Sequence, residues 1–166
     1  MRPVKINYPY ILTHLFASML LITGVRQFAF LMGYDIMQNL SDYGIKEVIR
    51  VTSTHEMMNL FEWLLIATFL GFYLSIIISF VILLRKRVSM VNLLIIFVIN
   101  ALLMCIQFLK FESVLNVRDS VGHLFRGDLL ALKYVIPGTA FIILGLIVFF
   151  NPWTNRMPAK PMVQYS

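Results

Sequence analysis

Four apolar runs, at about 10–32, 63–84, 88–109 and 134–150, divide the chain, and polar residues gather between and beyond them. Within each run the apolar residues are continuous. They do not alternate as in a strand with one wet face, and each run approaches the roughly 20 residues that a helix needs to cross hydrocarbon. Lipid-exposed backbone must satisfy its own N–H and C=O groups, so continuous runs of this kind predict helices. The pattern therefore predicts an all-α membrane protein with four transmembrane helices at about 10–32, 54–84, 88–109 and 130–150. They form a single domain over residues 1–166.

The second helix is expected to begin well before its apolar run. Ser53 followed by Glu56 has the spacing of a capping box and opens a helix at Thr54. Extending to Leu84, that helix protrudes from the apolar layer by about two turns. Only residues 85–87 separate the second run from the third, which makes the two a helical hairpin. The third run carries Asn92, Asn100 and Gln107, whose amides are expected to turn toward neighbouring helices. The fourth contains Pro137-Gly138, where proline removes a backbone donor and is expected to bend the helix. Two longer connections remain, at about 33–52 and 110–132. In the first, Asp42 is positioned to cap a short interfacial helix carrying Ile45, Val48 and Ile49 on one face. The second mixes Val114, Leu115, Val121, Leu124 and Phe125 with charges, and is too apolar for a free linker.

Charge orients this layout. Residues Arg2, Lys5, Arg85, Lys86, Arg87, Arg156 and Lys160 supply seven positive charges, and their segments hold no acid. Positive charge in short loops marks the cytoplasmic face, which predicts N-in/C-in topology. All eight carboxylates then belong to the outer connections or the helix ends beside them. The composition agrees: 60% of residues are hydrophobic and 13% charged, where soluble domains have about 25% charged. The sequence pI of 9.7 does not imply nucleic acid. Half of the positive charge is the orientation signal and can meet anionic lipid, and the rest is interleaved with acids. The first run holds His14, Arg26 and Gln27 and is read as a retained span, not a cleaved leader. Cys105 is the sole cysteine, so no internal disulfide or CxxC pair exists.

Arg26 is the sharpest single feature. A charge within a span is expensive and marks a functional hypothesis. It is expected to snorkel to the interface, to pair with Glu62 and hold two helices in register, or to hold an anionic group from the outer side. His55, Asn59 and Glu62 share one helical stripe, at spacings of four and three. That stripe is read as a polar seam before a metal site, because Asn59 stands where the second histidine of an HExxH motif belongs. Cys105, His123 and Arg126 together have the residue types of a thiol-nucleophile site, although a small buried apolar role for Cys105 is the simpler reading. His14 is expected to be a neutral, hydrogen-bonded interior histidine. Nothing in the pattern indicates a cofactor.

Arg26, Phe28 and Tyr34-Asp35, followed by an apolar helix, are similar to the opening of small exosortase-associated membrane proteins of Bacteroidetes. The short basic turn at Arg85, Lys86 and Arg87, the Leu124-Phe125-Arg126 segment and Pro137 fit the same layout. The chain departs from that pattern at Ile36, where a proline usually follows Tyr-Asp. It departs again at Arg126, which stands without a paired arginine and near Asp128. The resemblance implies a non-catalytic accessory subunit that contacts membrane lipids and an exosortase-like integral membrane enzyme. On this reading Arg26, Tyr34, Asp35, His55, Asn59 and Glu62 form the outer polar cluster. The alternative is a small membrane enzyme or a lipid- or quinone-binding protein with its site on the outer face. A transporter-like or immunity-type role is a further possibility, although four spans without a repeat are few for transport.

Overall fold

The computed structural model describes residues 6–86, 89–109 and 130–151. Those residues are helical and contain no strand. In chain order the elements are α1 (Tyr8–Ala29), a 3-10 turn (Phe30–Gly33), α2 (Tyr34–Tyr43), α3 (Ile45–Val51), α4 (Thr54–Lys86), α5 (Met90–Leu109) and α6 (Leu130–Phe149). Two stretches, Tyr8–Leu40 and Thr54–Arg85, are long and apolar enough to cross a membrane, and Met90–Cys105 and Lys133–Phe149 are shorter apolar helical segments.

Local chemistry accounts for the helix boundaries. The Asn7 side chain accepts from the Tyr10 N–H at 3.3 Å, and Pro9 occupies the first turn, where its missing N–H costs nothing. The Ser53–Glu56 capping box forms as expected. Glu56 Oε2 accepts from the Ser53 N–H and hydroxyl, each at 2.9 Å, and Ser53 Oγ accepts from the Glu56 N–H at 3.3 Å. Two expectations are corrected. Asp42 does not cap α3, because α2 continues through it to Tyr43, and the residue before α3 is Gly44, without a side-chain cap. Gly44 has φ +79° and ψ 171°, a conformation open almost only to glycine, and so it breaks the chain between two short helices. The presumed common face of α3 also divides: Val48 is buried, whereas Ile49 is 67% exposed. Helix α4 reaches Lys86, two residues past the expected end at Leu84, and α6 continues through the fully buried Pro137.

Helix α1 is the hub. It packs antiparallel to α6 along one side and to α4 along another, with α5 against both α1 and α4. Its contacts are made backbone to backbone. A Cβ placed on Gly24 would lie 2.8 Å from the Gly138 carbonyl oxygen and 2.9 Å from the Ile142 nitrogen. One placed on Gly71 would lie 2.8 Å from the Ile22 Cα, and one on Gly145 3.2 Å from the Ala17 carbonyl oxygen. Small residues are therefore what let α1 sit this close to two partners.

Polarity is distributed inside out. His14, Ser18, Arg26, Gln27, Thr68, Ser75, Ser79, Asn92 and Asn100 are all buried. Leu12, Phe16, Ile66, Leu70, Ile77 and Leu94 are each more than half exposed. In α4 every exposed residue between Glu62 and Arg85 is apolar or tyrosine.

Replacing Gly24 with alanine forces a backbone shift and is expected to destabilise the protein by roughly 1–3 kcal/mol. Gly44→Ala has open space around it and should cost about 1–3 kcal/mol through backbone strain alone. Unfolding of both variants in a detergent titration separates the outcomes. A Gly24→Ala protein as stable as wild type would contradict the close crossing.

Candidate functional site

The Arg26 end of the bundle is built where α1 gives way to the 3-10 turn. Ile22, one turn below Arg26, packs on Gly71 of α4, and Gly33, two turns above it, packs on Leu60. Interpolating between these contacts sets Arg26 level with Ala67. Arg26 is 3% exposed at this level, and its Nε has no hydrogen-bond partner among the described residues. The neighbouring Gln27 is 2% exposed, lies beside Gly138 of α6 and has an unpartnered Oε1. Phe30, one turn beyond Arg26, is buried and stacks on Tyr134 of α6 with ring centroids 5.2 Å apart.

The expected Arg26–Glu62 ion pair does not form. Among the described residues the ion pair present is Arg50–Glu47, at 3.9 Å on the surface. Helical geometry gives the reason. Leu60, Leu64, Ala67 and Gly71 form the α4 face toward α1, and Glu62 lies about 200° round the helix from Leu60. His55 and Asn59 share that outward side. Their stripe is present, with His55 Nδ1 and Asn59 Nδ2 3.2 Å apart, but it is exposed and not a buried seam. Asp35 is exposed in the first turn of α2, where the helix dipole favours a negative charge, and Tyr34 is half-buried against the cluster containing Ile36 and Met37. The six residues thus separate into one buried cation, a half-buried tyrosine and four exposed polar residues.

Cys105 is a free thiol and is exposed, in contrast to the buried role expected of it. His123 and Arg126, the other members of that candidate site, lie outside the described residues, as does the Gln107 side chain. No group of three or more His, Cys, Asp or Glu able to hold a metal occurs among the described residues.

A second polar cluster occupies the opposite end of the bundle. The His14 Nδ1 lies 2.8 Å from Ser79 Oγ, and the imidazole is packed between Tyr10, at 4.0 Å, and Phe149, at 5.2 Å. Tyr10 donates its hydroxyl proton to the Ser79 carbonyl at 3.0 Å, and Ser18 donates to the His14 carbonyl at 2.7 Å. The Asn7 N–H donates to Asn92 Oδ1 at 2.8 Å and joins the start of α1 to α5. His14 is thus the interior hydrogen-bonded histidine that the sequence suggests, and Asn92 and Asn100 both turn inward. Asn100 differs from Asn92 in that neither of its amide atoms has a partner. Gln27 and Ser79 are the residues that sequence reasoning passed over. The available signal was spacing: Ser75 and Ser79 continue the same α4 face as Ala67 and Gly71.

Comparison with family models, with curated proteins and with solved structures finds no match.

Two substitutions test this geometry. Ser79→Ala removes the partner of a buried imidazole and should lower stability by about 1–3 kcal/mol. Glu62→Gln removes a carboxylate that forms no ion pair and should change stability by less than about 0.5 kcal/mol. A large loss in the Glu62 variant, measured by the same unfolding titration, would restore the Arg26–Glu62 pair.

Proposed function

We propose that the chain is an integral membrane protein of four spans. It acts as a non-catalytic accessory subunit in an exosortase-type sorting or export system of the bacterial inner membrane. The observation that carries the membrane reading is the exposed face of α4. Trp63, Ile66, Phe69, Ile77, Phe80 and Leu84 lie along it between Glu62 and Arg85. Those two charges are separated by about 34 Å of helix, against a hydrocarbon thickness of about 30 Å. In water such a face would drive aggregation, whereas in a bilayer it is the solvated surface. The buried serines, asparagines and His14 fit the same reading, since polar groups in a membrane protein turn to one another and away from lipid. The acid-free segments holding Arg2, Lys5, Arg85, Lys86, Arg87, Arg156 and Lys160 support N-in/C-in topology.

The accessory role rests on the outward polar stripe of α4. Its first turns, with His55, Asn59 and Glu62, stand clear of the apolar belt and are exposed, as is Asp35. This face suits docking to a partner that also projects from the membrane. The exosortase assignment comes from the similarity of Arg26, Tyr34-Asp35 and the basic turn to that family's small membrane proteins.

The membrane reading requires the chain to stay in the pellet after alkaline carbonate extraction of cell membranes, and release into the supernatant would overturn it. The docking reading predicts that a photo-crosslinking amino acid at position 59 captures a sorting enzyme in native membranes. The combined substitution His55→Ala, Glu62→Ala should remove that adduct. An adduct of unchanged yield in the double variant would sink the docking face.

A further inference from the structure

The α1 surface between its packed sides has an order that the accessory role does not use. Leu12, Phe16 and Met19 are exposed at 66%, 57% and 37%, and Thr23 is half-buried. With Phe30 they share one helical face, at spacings of four, three, four and seven residues. Arg26 and Gln27 straddle that face, each about 50° from its centre. Helix α6 borders it on the Gln27 side. A Cβ on Gly138 would lie 3.0 Å from that of Gln27, and one on Gly145 3.4 Å from that of Leu20. An apolar strip therefore runs along α1 toward the level of Arg26 and Gln27, both of them buried.

We infer that this strip and its polar end bind one anionic phospholipid. An acyl chain would lie along Leu12, Phe16 and Met19, and the headgroup phosphate would be drawn in to Arg26. The inference rests on the membrane reading above. Its warrant is charge. A buried guanidinium without a counter-ion is strongly disfavoured, and none of the described carboxylates pairs with Arg26. Glu62 and Asp35 are exposed on other faces. At 3% exposure Arg26 does not snorkel to the surface. It lies about 7 Å inward of Glu62 along α4, close enough for a headgroup phosphate to reach from the interface. Guanidinium is suited to phosphate, which it can meet with two parallel N–H donors. Gln27 adds selectivity. Its free Oε1 is an acceptor, which a bare phosphate diester cannot satisfy but a headgroup hydroxyl can. The pair thus fits a phosphate carrying a hydroxylated headgroup, such as phosphatidylglycerol, better than a choline headgroup, which has no donor.

The test uses the full chain purified in a non-ionic detergent. Native mass spectrometry of the wild type should show stoichiometric retention of phosphatidylglycerol. After delipidation, added phosphatidylglycerol should raise the thermal midpoint, and phosphatidylcholine should not. Arg26→Gln should bind at least about tenfold more weakly, a loss of about 1.4 kcal/mol. Thr23→Trp, which fills the half-open strip and leaves Arg26 in place, should lose retention as well, and it carries the test if the Arg26 variant does not fold. Equal response to the two lipids, or an equal shift from inorganic phosphate, would overturn the site. So would unchanged binding in both variants, or a lipid-free complex in which a partner's acidic helix occupies Arg26. A chain that resists carbonate extraction but does not discriminate between the lipids overturns the lipid site alone, leaving the membrane reading intact.

Discussion

The contact on which the rest of the structure depends is the backbone approach of α1 to α6 at Gly24 and Gly138. A side chain at Gly24 would meet a carbonyl oxygen and a main-chain nitrogen of α6, and neither can rotate away. The remaining helices take their places from α1: α4 through Gly71 against Ile22, and α5 through Asn92 against the Asn7 amide. In a bilayer no hydrophobic force draws apolar helices together, since lipid tails are as apolar as leucine. On the proposed membrane reading, association rests on van der Waals contact, worth only about 0.1–0.2 kcal/mol per atom pair, so many pairs must be in register at once. Glycine at the crossing increases that number by bringing whole backbones into contact. Helix α6 is joined to the bundle chiefly through α1 and is the element most dependent on this crossing.

Close packing also organises the polar interior. Several buried hydroxyls bond within their own helix: Thr68 to the Leu64 carbonyl at 2.6 Å, Ser75 to that of Phe72 at 2.7 Å, and Ser18 to that of His14. These satisfy themselves and add little between helices. Specificity comes from the cross-helix set, in which the Ser79 carbonyl accepts from Tyr10 and the Ser79 hydroxyl is hydrogen-bonded to His14, so that α4 is pinned to α1 in one register. Arg26 Nε, Gln27 Oε1 and both amide atoms of Asn100 have no partner among the described residues. Because unsatisfied groups are costly in a medium of low dielectric, they mark where the fold is incomplete by itself. Two of the three residues lie together at one end of an open apolar strip, which is why the ligand inference begins there.

The proposed roles use opposite faces and do not compete. The protein-docking surface is the exposed stripe of α4, and the proposed lipid site is the apolar strip of α1. If both hold, a bound phospholipid neutralises the interior charge and completes the α1–α6 unit, while α4 offers its first turns to a partner. The chain would then be a lipid-filled scaffold whose affinity for its partner is set by surface residues.

Sequence by itself determined the helices, because their signals are local. Run length, the Ser53–Glu56 spacing and the cap at Asn7 each act within a few residues, and the structure places helix boundaries close to them. The inward turn of Asn92 and the hydrogen-bonded state of His14 were legible too, since burial is the only low-energy option for a polar group in an apolar run. Asp42 misled because a good capping residue lost to helix continuation up to Gly44. Relations between helices were not legible. The expected Arg26–Glu62 pair shows why: two opposite charges at similar height suggest an ion pair, yet the rotation of α4 about its axis places them on different sides. That rotation is decided by where the small residues lie, through Gly71 on Ile22 and Leu60 over Gly33, which is a property of two surfaces fitting together. Tertiary packing therefore left Arg26 buried without a carboxylate among the described residues and His55, Asn59 and Glu62 exposed, because the small-residue face of α4 turns toward α1 and carries Glu62 to the other side.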